Sequence, residues 1–140
     1  NWVCNLSQFC GFIYQMLPDL NWAGFYIIDK NQLILGPYQG RVACSPIAMG
    51  QGVCGKVAVS GEKELVVDVN EFEGHIACDS ASLSELVSAI TIDHRVVAVF
   101  DLDSPTLARF DQQDADGIEQ LIKILMSHTD WPEKTKELND

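Results

Sequence analysis

A chain of 140 residues, 47% hydrophobic and 21% charged, is long enough for one packed domain and too apolar for a disordered segment. Nine basic against twenty acidic residues leave a net charge of −11, which repels phosphate backbones and anionic headgroups and so argues against nucleic acid or a membrane surface as partner. No run reaches the roughly 20 apolar residues of a bilayer span, and residues 1–7 lack the basic start of a signal peptide.

The five cysteines are odd in number and too sparse for a disulfide framework, so a reducing cytoplasm is the expected location. Val3, Leu6, Cys10, Ile13, Tyr14 and Leu17 recur at helical spacing and predict an opening amphipathic helix that Pro18 ends. Ala23 to Ile28 and Leu33 to Tyr38 predict a hairpin turning at Asp29 to Gln32. From Gly40 to Gly55 the pattern breaks into a glycine-rich loop with two cysteines, followed by a short helix that Gly61 closes.

Leu65 to Val69 reads as a buried strand. Asn70 to Ser84 is a second long loop, polar and holding Cys78; loops of this length are usually functional or disordered. Leu86 to Ile92 and Val96 to Leu102 predict another hairpin through Asp93-His94-Arg95. Ile118, Leu121, Ile122, Leu125 and Met126 stripe a closing helix whose start is marked by Asp111 and Asp114. The expected architecture is α+β: a single domain over residues 1–130 and a charged tail over 131–140. Hairpin-linked strands make a central antiparallel sheet, the terminal helices cover one face, and the two long loops wall a pocket on the other.

Three sets of residues could carry chemistry. Cys44, Cys54 and Cys78 sit among small neighbours in the irregular segments, where one thiol can attack and another can resolve a sulfenic acid. Cys54 just precedes the short helix, whose N-terminus would lower its pKa. Inert small residues explain these cysteines equally well on composition alone. A zinc site of Cys44, Cys54, Cys78 and His75 is disfavoured by the lack of any C-x-x-C pair, so no metal is expected.

Asp101 and Asp103, two apart at the end of an apolar strand, leave from one face and could bind an ammonium or hold a proton, with Glu85 on the partner strand. Solvated strand-end aspartates are the simpler account of that pair. Trp22 and Tyr26, four apart, share a strand face and could cradle a methyl group, or merely fill the core. His75 lies close enough in sequence to Cys78 to favour its thiolate, although a loop histidine is commonly exposed.

On these motifs the sequence resembles the free methionine-R-sulfoxide reductases, a family of GAF domains. The likeness runs from about Leu17 to Leu125. It is carried by Leu20-Asn21-Trp22-Ala23-Gly24-Phe25-Tyr26, Leu35-Gly36-Pro37-Tyr38-Gln39-Gly40, Gly50-Gln51-Gly52-Val53-Cys54-Gly55, Gly74-His75-Ile76-Ala77-Cys78-Asp79-Ser80-Ala81-Ser82 and Asp101-Leu102-Asp103-Ser104.

The resemblance implies an oxidoreductase in which Cys78 attacks the sulfoxide of free methionine (R)-sulfoxide and becomes a sulfenic acid. Cys44 would resolve it as a disulfide, and thioredoxin would reduce that bond, with no bound cofactor. Cys54 would relay the disulfide or stabilise the site. Glu85, Asp101 and Asp103 would grip the substrate, and Trp22 and Tyr26 would wall its methyl group. Analogy with GAF domains adds homodimerisation. The sequence departs from the family pattern at Ser88-Ala89, where a proline is common, and at Val97 to Phe100, which bears on pocket shape. The alternative is a GAF module that senses a small molecule or redox state without turnover.

Overall fold

A computed structural model of the chain describes residues 1–132. Helix α1, Trp2–Met16, begins where the Asn1 side chain accepts a hydrogen bond from the Cys4 N–H. It stops short of Pro18, where Leu17 is extended. Its apolar stripe buries Leu6, Phe9, Cys10 and Ile13. Strands β1, Trp22–Asp29, and β2, Gln32–Gly40, form the first hairpin. A two-residue strand, β3 at Ile47–Ala48, pairs with the start of β2 inside the loop that the sequence reads as irregular.

Helix α2, Gly52–Ser60, starts three residues earlier than expected and ends at Gly61 in the left-handed conformation (φ 72°). Strand β4 is Glu64–Val66; the predicted continuation to Val69 instead enters a single 3-10 turn, Val69–Glu71. Strands β5, Ser84–Ile92, and β6, Arg95–Ser104, make the second hairpin, and helix α3, Gln112–Ser127, closes the chain behind an Asp111–Asp114 capping box.

Among the described residues the six strands form one antiparallel sheet in the order β3-β2-β1-β6-β5-β4. Side chains alternate across it. Ala23, Phe25, Phe100, Leu102, Leu86 and Ile90 point to one face, where they pack with the stripes of α1 and α3. The rings of Phe9, Phe25 and Phe100 meet there at centroid separations of 4.7–5.8 Å. Trp22, Tyr26, Val87 and Val99 point to the other face, against Val53, Cys54 and Val57 of α2.

The expected α+β architecture is therefore present, with the terminal helices on one face, although the loop face also carries a helix. Trp131 is buried in the first core against Trp2, at a ring separation of 5.6 Å, so packing continues into the segment expected to be a tail. Residues 133–140 of that segment lie outside the described residues. Among those described, no helix is long and apolar enough to cross a membrane.

Candidate active site

The register of the sheet assembles the site. Trp22 is paired with Asp103 and Gly24 with Asp101 in the β1–β6 ladder; Glu85 is paired with Asp103 and Val87 with Asp101 in the β5–β6 ladder. Directly opposed residues share a face, so both aspartates, Glu85 and the two aromatics emerge on the α2 side. There they line one cavity of about 50 Å³ with Cys54, Cys78 and His75, room for a few water-sized groups. Cys78 opens into the same hollow as Asp101 and Asp103.

Cys78 is joined to Cys44 in a disulfide spanning 34 residues of sequence, with the two Cα atoms 5.6 Å apart. The zinc set that needs both sulfurs is thus unavailable in this state. The bond links the loop after β2 to the loop after the 3-10 turn.

Glu85, Asp101 and Asp103 are all buried. Burial, followed by the charge of Asp101, holds the Glu85 carboxyl well above the usual carboxylate range. Burial and then Asp103 do the same to Asp101, and burial and then Glu85 to Asp103. Three carboxyls crowded out of water retain protons that an exposed carboxylate would lose. This overturns the simpler account of solvated strand-end aspartates.

Cys54 departs from expectation. It lies in the first turn of α2, yet burial, and then Asp101, raise its thiol well above the ordinary value. Desolvation and three neighbouring acids outweigh the helix terminus. Cys54 is a neutral thiol beside the acid cluster, not an activated one. His75 also differs from its sequence reading: it is only partly exposed, its Nε2 lies 3.9 Å from Glu85 Oε1, and burial lowers its pKa. It faces the acids and supplies no fixed cation to Cys78.

No protein-family model matches the chain. The free methionine-R-sulfoxide reductase of Escherichia coli is 39% identical over 125 residues, 89% of this chain and 76% of that protein. The enzyme of the same name from Saccharomyces cerevisiae is 44% identical over 133 residues, 89% of this chain and 74% of its own. This chain belongs to the free methionine-R-sulfoxide reductase family. The crystal structure of free methionine-R-sulfoxide reductase from Neisseria meningitidis, in complex with its substrate, is 38% identical. It superposes at a TM-score of 0.87 over 99% of this chain and 80% of that one. The GAF fold expected from the motifs is shared with these relatives.

In this family member the aromatic wall does more than line the pocket. Trp22 stacks on Tyr26 and on Tyr38, at 5.7 and 5.2 Å between centroids. The Trp22 Nε1–H donates to the Arg41 carbonyl and the Tyr26 hydroxyl donates to the Cys44 carbonyl, at 3.1 and 2.9 Å. The two rings therefore hold the Cys44 loop against the sheet.

Sequence reasoning missed the anchor of the other loop. Asn21 Nδ2 donates to Asp79 Oδ2 at 3.1 Å and to Ser82 Oγ at 2.9 Å, while the Asn21 N–H donates to the Asp103 carbonyl at 3.0 Å. One residue, through its side chain and its backbone N–H, ties the segment bearing Cys78 to the end of the strand that carries Asp101 and Asp103. Its only advance signal was its place within the Leu20 to Tyr26 motif.

Proposed function

We propose that this protein reduces free methionine (R)-sulfoxide to methionine, with Cys78 as nucleophile. The observation that carries the reading is a disulfide-forming pair, Cys44 and Cys78, whose second sulfur borders a cavity floored by three proton-retaining carboxyls. Its membership of the reductase family supports the substrate.

The ammonium of a free amino acid is the natural cation for a buried cluster of Glu85, Asp101 and Asp103, and a peptide-bound methionine lacks that ammonium. The first N–H groups of α2, which have no side-chain cap, border the cavity through Gly52 and Val53 and suit the substrate carboxylate. Trp22 and Tyr26 flank the methyl group. A buried acid that holds its proton more tightly than an exposed carboxyl then donates to the sulfoxide oxygen as Cys78 attacks sulfur.

In net terms the Cys78 thiol and the sulfoxide give a Cys78 sulfenic acid and the thioether. The substrate sulfur gains two electrons and Cys78 loses two, with the oxygen passing to Cys78. Cys44 then displaces that oxygen as water and closes the disulfide. A dithiol protein of the thioredoxin type, in a reducing compartment such as the cytoplasm, returns both thiols.

The test is a single turnover. The chain, reduced and freed of reductant, is mixed with each epimer of free methionine sulfoxide, and methionine and free thiols are counted. The expected result is about one methionine per chain from the R epimer, with the Cys44–Cys78 bond recovered by mass mapping. No methionine from either epimer overturns the reading.

A further inference from the structure

Cys54 is left with no assigned role by the proposed reaction, and the space around it has the donors of a metal site. One ligand atom each from Cys54, Glu85 and Asp101 lies within 4.8 Å of the others, and all three residues are buried. Ligand atoms around a zinc ion, at bond lengths of about 2.0–2.3 Å, sit roughly 3.5 Å from one another, so side-chain rotations of under about 1 Å would close the set.

An independent observation marks where a ligand is wanted. Asp101 Oδ1 is fully buried and has no hydrogen-bond partner, although the residue is only 5% exposed and borders the cavity. A buried carboxylate oxygen without a partner costs about 1–3 kcal/mol, and a cation entering from the cavity would supply one.

We propose that Cys54, Glu85 and Asp101 form a binding site for a soft divalent cation of the zinc and cadmium class, and that this cation competes with substrate for the cavity. One thiolate and two carboxylates favour such an ion over magnesium or calcium, which prefer all-oxygen sets. The cation displaces the thiol proton and one proton held by the paired carboxyls to solvent, so two positive charges replace two, and the second carboxyl coordinates through its neutral carbonyl oxygen. Three protein ligands leave a fourth position open toward the cavity. The ion is an inhibitor and not a cofactor, because it occupies the carboxyls that the substrate ammonium would take. That second half rests on the reductase reading; the binding site does not.

The site predicts an unusual independence from redox state. Cys44 and Cys78 are sequestered in their disulfide, yet Cys54 remains a free thiol, so the oxidised chain should still bind the ion. Cys4 is exposed and is replaced in the test by Cys4→Ser; Cys10 is buried in the opposite core.

Oxidised Cys4→Ser protein titrated with cadmium should develop a thiolate-to-cadmium charge-transfer band saturating at one ion per chain. Cys54→Ser should abolish the band. Asp101→Asn, which keeps the thiol, should weaken binding at least about tenfold. A band that never forms, or one that survives Cys54→Ser, overturns the site, as does unaltered affinity in Asp101→Asn. In Cys44→Ser/Cys78→Ser protein, which cannot turn over, free methionine (R)-sulfoxide should displace cadmium. Simultaneous binding would overturn the competition, while the single-turnover epimer assay tests the reductase reading separately.

Discussion

Glu85 and Asp103 face each other across the β5–β6 ladder as direct register partners, two buried carboxyls on one side of a sheet. Each holds its proton more tightly than an exposed carboxyl, through burial first and the neighbouring acids second. The folded chain therefore binds more protons than the unfolded chain once pH exceeds the ordinary carboxyl range. The stabilising contribution of these groups is complete below that range and is lost as pH rises through their elevated folded values. Calorimetry of the substrate-free protein should show Tm falling as pH rises above the ordinary carboxyl range of about 4–5. Asp103→Asn should flatten the slope, stabilise the chain at the upper end by roughly 1–3 kcal/mol and impair turnover. A variant with the same slope as the parent would contradict the assignment.

Replacing the two bridged cysteines should separate attack from resolution. Cys78→Ser should lower methionine formation by on the order of a thousandfold or more. Cys44→Ser should still release about one methionine per chain and then stall, with a sulfenic acid trapped by dimedone. Rapid-quench measurement reads both, and undiminished steady-state turnover in Cys44→Ser would assign resolution to another thiol.

Gly24 lies under the aromatic wall, and a Cβ there would come within 2.3 Å of Tyr38 Cβ and 2.6 Å of the Trp22 ring. Neither neighbour can retreat without breaking the Trp22 stacks that carry the Cys44 loop. Gly24→Ala should cost about 1–3 kcal/mol in urea unfolding. Gly117→Ala in α3, where an added Cβ meets nothing within 4 Å, should stabilise by roughly 0.5–1 kcal/mol. A destabilised Gly117→Ala alongside an unaffected Gly24→Ala would refute the packing argument.

Asn21 holds the Cys78 loop through Asp79 and Ser82. Asn21→Ala should speed hydrogen exchange across residues 76–83 in the reduced chain and slow disulfide closure after the first turnover by about tenfold. Unchanged exchange with slowed chemistry would mean that Asn21 acts on the substrate and not on the loop.

Much of the architecture was legible because its signals are local. Both long hairpins and both terminal helices follow from periodicity and from residues such as Pro18, Gly61 and Asp111. Strand β3 was missed because two residues carry no period, and β4 was overextended because Val69 is apolar whether it lies in a strand or a 3-10 turn. The common face of Asp101 and Asp103 was legible from their spacing. Their burial was not, because the cover comes from loops distant in sequence. The same distance hid the raised thiol of Cys54, whose acidic neighbours lie on β5 and β6. It also hid the Asn21 anchor, whose partners are 58 and 61 residues away.

The bond between residues 44 and 78 fastens together the two segments that enclose the hollow, and one of its sulfurs is the atom that would strike the substrate. In the proposed cycle, a chain that has just acted is thereby disarmed by its own product state and would wait for an outside dithiol, so its pace would follow the supply of reducing equivalents more closely than the supply of oxidised amino acid.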